Sequence, residues 1–398
     1  VDNQEASSMV ETQYQARTRR LQEKLRENGL DGIVLSSTGD IYYFGGFWGY
    51  MGAFRKVYMI VPSEGPPSML TSRLEEAYTR ASTWISDIYL YTEFPEEGVS
   101  QSDTEVVARL VEEGIGPDKR IGFDEDDLTA GRLAALQVQM PKAILRPAKA
   151  LVYQLRIIKD VGEIEVMRKV GQVAMAQAEG IRQAVAPGVT EYELTLVGRA
   201  AGSRKAAELL GPEERRFSPL IPGVQVVVSG AERTDWVHGR ATTRVLGPSD
   251  VVDTCYCETA TYRGYWLGFD RPFAAGKPPQ RVLDVMKIGL EMQEAALAAV
   301  RPGVRACDVD KAAADVLEKH GMLQYRRHRT GRGVGVDAAE KPDLRASDQT
   351  VLQPGMTFSV EPGIYIPGEL RVRFGDSVAV TEDGYLNFTP FPKEIPGA

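Results

Sequence analysis

Cysteine and histidine are the scarcest reactive residues of this chain, with three of each among 398. Cys255, Cys257 and Cys307 are too few for a disulfide framework, which points to a reducing compartment. Long apolar runs are missing too. No segment approaches the roughly 20 apolar residues of a membrane span, and the polar, then amphipathic N-terminal stretch lacks the apolar centre of a secretory signal. Positive charge is not in excess: 47 basic against 55 acidic side chains leave a net −8, which argues against nonspecific nucleic-acid or anionic-membrane binding. Nor is there a Gly-x-Gly-x-x-Gly or Walker sequence to hold a nucleotide. The expected protein is soluble and cytoplasmic, with a small-molecule substrate rather than a nucleic acid or a membrane as its partner.

The chain is long enough for two cores. Residues 1–154 begin with a helix over Gln13–Asn28. Apolar runs DGIVLSS, KVYMIVPS, SMLTS, DIYLYTEF and RIGFDED follow, interleaved with helical stretches near 73–81, 104–113 and 129–139. That alternation predicts an α/β domain with a mixed or parallel sheet. Between the first two strands, YYFGGFWGYMGAFR reads as an aromatic, glycine-rich loop that packs over a ligand or another subunit.

The pattern changes near Leu155, and residues 155–398 are expected to form a second domain. AVAPGVTEYELTLVGRAA at 184–201 and AVRPGVRACDVDKAAADV at 299–316 share one frame, each preceded by a long helical run (164–185 and 280–300). Duplication at that distance predicts two superposable halves, with helices covering one face of a curved antiparallel sheet. VQVVVSG, DVVDTCYCETA, RGYWLGFDRPF and the period-two stretch from Gly355 to Gly384 supply the strands. Glu361 sits in an apolar strand, where an unpaired polar group costs roughly 2–7 kcal/mol. It is either paired with a nearby arginine or part of a site.

KDVGEIEVMRK, the doubled Pro-Gly-Val helices, GRGVGVD, PGMTFSVEPGIY and VRFGDSVAVTEDG occur in an order that resembles the pita-bread family of creatinase, prolidase, aminopeptidase P and methionine aminopeptidase. The resemblance spans essentially the whole chain. It implies an α+β fold, a pita-bread C-terminal domain preceded by an α/β N-terminal domain. Metallopeptidases of that family hold two metal ions with two Asp, one His and two Glu. Carried onto this sequence, those positions fall on Cys257, Gly268, Arg332, Glu361 and Gly375, so one ligand of five remains beside an arginine. Hard dications need several carboxylates, so neither a metal nor another cofactor is expected. Cys255 and Cys257, two apart on one strand with His238 near, suggest a zinc reading. The plainer reading is two small buried residues, since no second cysteine pair exists.

SGAERTDWVHGRATTRVLGPSDVV, GYWLGFDRPF and LQYR resemble creatinase more closely. That likeness implies His238 as general acid/base, with Glu361 and Asp270 gripping a cationic amidine or guanidinium head, and adds Glu258 and Tyr265 as substrate contacts. Cleaving such a C–N bond needs a base, a proton shuttle and opposing charge. Arg332 brings a donor fork suited to carboxylate or phosphate. Arg55 matches an arginine that creatinase contributes across its dimer, which implies a homodimer whose N-terminal domain reaches the partner's site. The arginine that holds creatine's carboxylate falls on Ala338, so creatine itself is not expected. His328, at the pocket rim, is a further substrate-binding candidate within RRHRTGR, a run that is either a solvated basic patch or a turn into the cavity. His320 suits a helix end. The expected activity is metal-independent hydrolysis of a non-peptide C–N bond in a small zwitterionic, amino-acid-like compound. Elimination, decarboxylation or rearrangement in the same pocket, and a binding module without catalysis, are the alternatives.

Overall fold

The computed structural model describes residues 2–49, 55–94, 98–100, 102–221 and 226–395, and the chain divides into two compact units at Arg156/Ile157. The first contains α1 (Asp2–Glu27), β1 (Gly32–Leu35), α2 (Thr38–Gly45), β2 (Tyr58–Pro62), β3 (Ser68–Ser72), α3 (Glu76–Ser82), β4 (Asp87–Tyr91), α4 (Asp103–Gly114), β5 (Arg120–Phe123), α5 (Ala130–Gln139), β6 (Ile144–Pro147) and α6 (Lys149–Arg156). Its six strands form one mixed sheet in the order β4-β3-β2-β1-β5-β6. Val34, Ile60, Leu70 and Ile121 of that sheet pack with Val107, Leu110 and Val111 of α4.

The aromatic segment differs from expectation. Its first part is the helix α2, because Ser37 caps it by accepting from Asp40 N and Gly46 closes it. Tyr42, Tyr43, Phe44 and Phe47 are buried in the unit's own interior rather than held out for a ligand; residues 50–54 lie outside the described residues. Asp40 of α2 is fully buried and pairs with both Lys149 and Arg156. Burial works to raise its carboxyl pKa, but the two cations hold it below the ordinary value.

The second unit contains α7 (Val161–Ala184), α8 (Glu191–Leu210), β7 (Val226–Val228), β8 (Val251–Cys255), β9 (Thr261–Tyr262), β10 (Tyr265–Trp266), β11 (Asp270–Ala274), α9 (Gln280–Ala299), α10 (Ala306–Lys319), β12 (Gly331–Gly333), β13 (Glu340–Leu344), β14 (Thr357–Val360), β15 (Gly363–Ile366), β16 (Leu370–Arg373), β17 (Asp376–Val380) and β18 (Tyr385–Asn387). The repeated Pro-Gly-Val frame does the same work twice. Gly188 N donates to Leu246 O (2.9 Å) and Leu246 N to Val189 O (2.8 Å); Gly303 N donates to Leu352 O (2.9 Å) and Leu352 N to Val304 O (2.8 Å). Gly188 and Gly303 hold φ of 92° and 83°, a region that favours glycine. Each frame thus ties a helix pair to an extended segment.

One curved sheet was expected; the strands instead divide into β11-β8-β7 and β13-β12-β14-β17-β18, with hairpins β10-β9 and β15-β16. A single bridge between Asp270 and Gly375 joins the two main sheets. Phe358, Val360, Val372 and Phe374 pack with Val285, Leu297, Val309 and Leu317 beneath them. Among the described residues no helix is long and apolar enough to cross a membrane.

Asp40→Asn would remove the buried carboxylate that Lys149 and Arg156 share. It should cost about 3–5 kcal/mol of stability, read as a lowered urea midpoint of the intact protein.

Candidate active site

The strand alternation of the second unit determines which charges converge. Asp270 lies opposite Cys255 in the β11–β8 ladder, so both side chains point to one face, while Arg271 turns to the other and pairs with Asp376 (2.6 Å). Two residues apart on β16, Arg371 and Arg373 also share a face. Arg371 pairs with Asp253 (2.6 Å), and Arg373 meets Asp270 through Nε (3.2 Å) and Glu361 Oε2 through Nη2 (2.6 Å). The β15–β16 hairpin pairs Gly363 with Arg373, which brings the arginine back beside Glu361. From β12, opposite Ser359 of β14, Arg332 pairs with Glu361 Oε1. Cys257, in the turn after β8, donates from Sγ to Glu361 Oε2 (3.1 Å).

Above this floor lies a cavity of about 460 Å³, lined by His238, Arg240, Cys255, Cys257, Glu258, His328, Arg329, Arg332, Glu361 and Arg373 together with Val237, Ala338 and Ala339. Of the expected site residues, His238, Glu258, His328, Arg332 and Glu361 therefore meet at one place. Asp270 does not line it: the side chain is fully buried beneath, against Arg373. Burial pushes its carboxyl up while Arg373 pulls it down. Glu361 spends both oxygens on Arg332 and Arg373. The expected grip of these two acids on a substrate cation is thereby corrected, because arginines of the protein itself fill that role. Tyr265 is also misplaced by the expectation. It does not line the cavity, and its hydroxyl donates to Glu163 Oε1 (3.0 Å). Arg55 belongs to the first unit and pairs with Glu93 (2.9 Å).

Four arginines against two glutamates line the cavity, so its field favours an anion. Arg329 is partly engaged by Asp343 (3.0 Å), whereas Arg240 makes no ion pair among the described residues. Arg332 is steered by Ala338 O, which accepts from its Nε (3.1 Å). His238 makes no hydrogen bond among the described residues. Desolvation and the charge of Arg373 hold its imidazole below the ordinary 6.5, so it stands as a neutral base at pH 7. His328 donates from Nδ1 to Arg329 O (2.7 Å) and accepts at Nε2 from Tyr365 OH (2.7 Å). Burial, then Arg373, lowers it to about 3, so it orients neighbours rather than moving protons. Sequence reasoning overlooked Arg240 and Arg373 as cavity residues. The signals were present, Arg240 two residues after His238 and Arg373 in the alternating Arg-Val-Arg.

A dinuclear centre does not fit this donor set. A Cβ added at Gly268 would collide with Ser359 Oγ, and one at Gly375 with Asp270 Oδ2, so neither position has room for a ligand side chain. Cys255 Sγ, Cys257 Sγ and an Asp270 oxygen do lie within 4.8 Å of one another. Arg373 Nε already stands 3.2 Å from that carboxylate, so fixed positive charge occupies the place a cation would take.

A six-stranded α/β unit followed by a duplicated helix-and-sheet unit bearing a charged cavity defines the two-domain pita-bread class. The chain belongs to metallopeptidase family M24, whose model matches residues 165–382, and the creatinase/prolidase N-terminal domain model matches 17–158. It is 32% identical to the agropine synthesis cyclase of Rhizobium rhizogenes, covering 95% of this chain and 96% of the cyclase. It is 26% identical to an Xaa-Pro dipeptidase of Lactobacillus delbrueckii subsp. lactis over 94% and 97%. The Xaa-Pro dipeptidase structure from Bacillus anthracis superposes with a TM-score of 0.82 at 28% identity, covering 96% of this chain and 99% of that one.

Glu361→Gln takes the carboxylate from buried Arg332 and leaves buried Arg373 with Asp270 alone. The expected loss is about 3–5 kcal/mol, and formate should raise the melting temperature of the variant more than that of the wild type, as differential scanning calorimetry would show.

Proposed function

We propose that this M24-family protein is a metal-independent enzyme acting on a small amino-acid-like compound, with C–N hydrolysis as its reaction. The observation that carries the reading is the double engagement of Glu361 by Arg332 and Arg373, which supplies fixed charge where relatives of this family would need ligands. Arg240 is the group for a substrate carboxylate, and Glu258, at the exposed rim, is the acid left over for an ammonium group. His238 relays a proton between the incoming oxygen and the departing nitrogen. Arg332 and Arg373 oppose negative charge that develops at the reacting carbon. The acid/base work falls to His238 alone, since Asp270 is sealed below the cavity.

A second reading is ring closure, in which a hydroxyl of the substrate takes the place of water. The 32% identity to a cyclase across 95% of the chain favours it. Both readings need the same base and the same anion anchor. They differ only in which oxygen attacks.

Turnover of a panel of guanidino acids and N-substituted amino-acid amides should survive dialysis against EDTA; loss on chelation with recovery on adding Mn²⁺ or Co²⁺ would refute metal independence. Reaction in ¹⁸O-water separates the two readings, since hydrolysis places label in the product and ring closure does not. His238→Ala should lower kcat/KM by roughly 10²–10⁴-fold, and Arg240→Ala should raise KM with kcat kept. Activity should fall as pH drops through the His238 pKa, which lies below 6.5, because the imidazolium cannot accept a proton.

A further inference from the structure

The turn that ends β8 is built to present Cys257. Tyr256 N donates back to Phe269 O (2.8 Å), Thr259 N (3.1 Å) and Ala260 N (2.9 Å) donate to Tyr256 O, and Glu258 is held at φ 68°, a left-handed conformation unusual for a side-chain-bearing residue. This tight turn leaves Cys257 half-buried with its sulfur on the cavity, while Cys255 is buried under it. The thiol contacts Glu361 Oε2 at 3.1 Å, and the guanidinium groups of Arg332 and Arg373 close on that same carboxylate. Beneath lies the Asp270 carboxylate, wholly buried, neither of whose oxygens makes an aligned hydrogen bond.

We propose that Cys257 is the nucleophile of this site, its sulfur attacking the trigonal carbon of a carboxylate-bearing amide or amidine to form a covalent S-linked intermediate. The proposal rests on the amino-acid-like substrate and the His238 relay described above. The thiol proton passes to His238, the Sγ–C bond forms as the C–N bond breaks, and the imidazolium returns the proton to the departing nitrogen. His238 then takes a proton from water, or from a hydroxyl of the same substrate. That oxygen displaces sulfur from the carbon, and the proton returns to Sγ. No oxidant, reductant or further reactant is consumed. The environment suits the step: a hydrogen bond from Cys255, then the charges of Arg332 and Arg373, lower Cys257 below the ordinary thiol value. The reaction class follows from the cysteine, since an S-linked carbon is released equally by water or by an internal hydroxyl. Hydrolysis and ring closure become two fates of one intermediate.

The native protein is treated at pH 7 with iodoacetate or iodoacetamide, and each cysteine's modification is followed by peptide mass spectrometry with Cys307 as internal reference. Cys257 should react roughly tenfold faster than Cys307 or more, and should prefer the anionic reagent, a preference that Arg240→Ala weakens. Mono-p-nitrophenyl succinate, an anionic acyl donor, should give a burst of nitrophenolate and leave a succinyl group on Cys257, and Cys257→Ser should abolish both. Alkylation of Cys257 no faster than that of Cys307 overturns the proposal without any variant having to fold. So does a full burst in Cys257→Ser. A fast Cys257 that shows no preference for iodoacetate supports the nucleophile and refutes the anion anchor, so the two ideas fail separately.

Discussion

Arg332 and Arg373 each take one oxygen of Glu361, and all three residues are nearly excluded from water, with 8%, 4% and 4% of their surfaces exposed. Charges so placed are held by each other. Removing one leaves the rest unsolvated and uncompensated, a loss far larger than the net worth of the assembled group. The same rule propagates outward. Arg373 also faces Asp270, Arg371 faces Asp253, and Arg271 faces Asp376. Strand alternation sorts these pairs onto opposite faces, so one set of arginines backs the cavity and the other ties the C-terminal segment down, Arg271 donating to Phe391 O and Pro392 O. The floor of the site and the packing of the sheet are a single electrostatic problem with one solution.

That solution is held in place by the duplication. The two Pro-Gly-Val joints, each stitched by the same pair of backbone bonds, position a helix pair on either half. The bridge between Asp270 and Gly375 is where the two sheets meet. Asp270 is therefore at once a joint of the fold and the deepest charge of the site. Gly268 and Gly375 belong to the same economy of space, because side chains there would strike Ser359 and Asp270. On the proposed metal-independent reading, giving up the carboxylates of a metal centre and gaining arginines are coupled changes. Smaller residues make room and new cations supply the charge.

Much of this was legible in the sequence. The helices and the duplicated frame follow from spacing, the convergence of His238, Glu258, Arg332 and Glu361 follows from the family resemblance, and the choice between a paired and a functional Glu361 dissolves because it is paired and still faces the cavity. Period two, which tells which residues share a face but not what lies opposite it, left Arg373 looking like ordinary strand decoration, and the resemblance made Asp270 look like a substrate contact. Tyr265 failed for the same reason, since its hydroxyl reaches α7 through Glu163. The helix α2 was missed by weighting the glycines of the aromatic segment over the Ser37 cap, a local signal that was available. Cys257 was weighed as a replaced metal-ligand position and as a zinc-pair or small buried residue, never as a nucleophile, because its neighbours Arg332 and Arg373 are distant in sequence.

A metal centre and a guanidinium pair differ in what they ask of a substrate. A dication can hold water and turn it into a nucleophile; a guanidinium can hold an anion but cannot activate water, having no lone pair to accept a proton and no coordination site to offer. On the proposed reading the missing activation must come from an imidazole, a thiol, or both. A neutral His238 and Cys257, both lining the same cavity, supply those two groups. Arginine forks recognise planar carboxylates by direction as well as charge, so on that reading the exchange would trade a general hydrolytic centre for one selective toward an acidic end of the substrate. Such a site suits one small metabolite better than a range of peptides. Its selectivity would be set by the distance from Arg240 to the sulfur rather than by the reach of a bound ion.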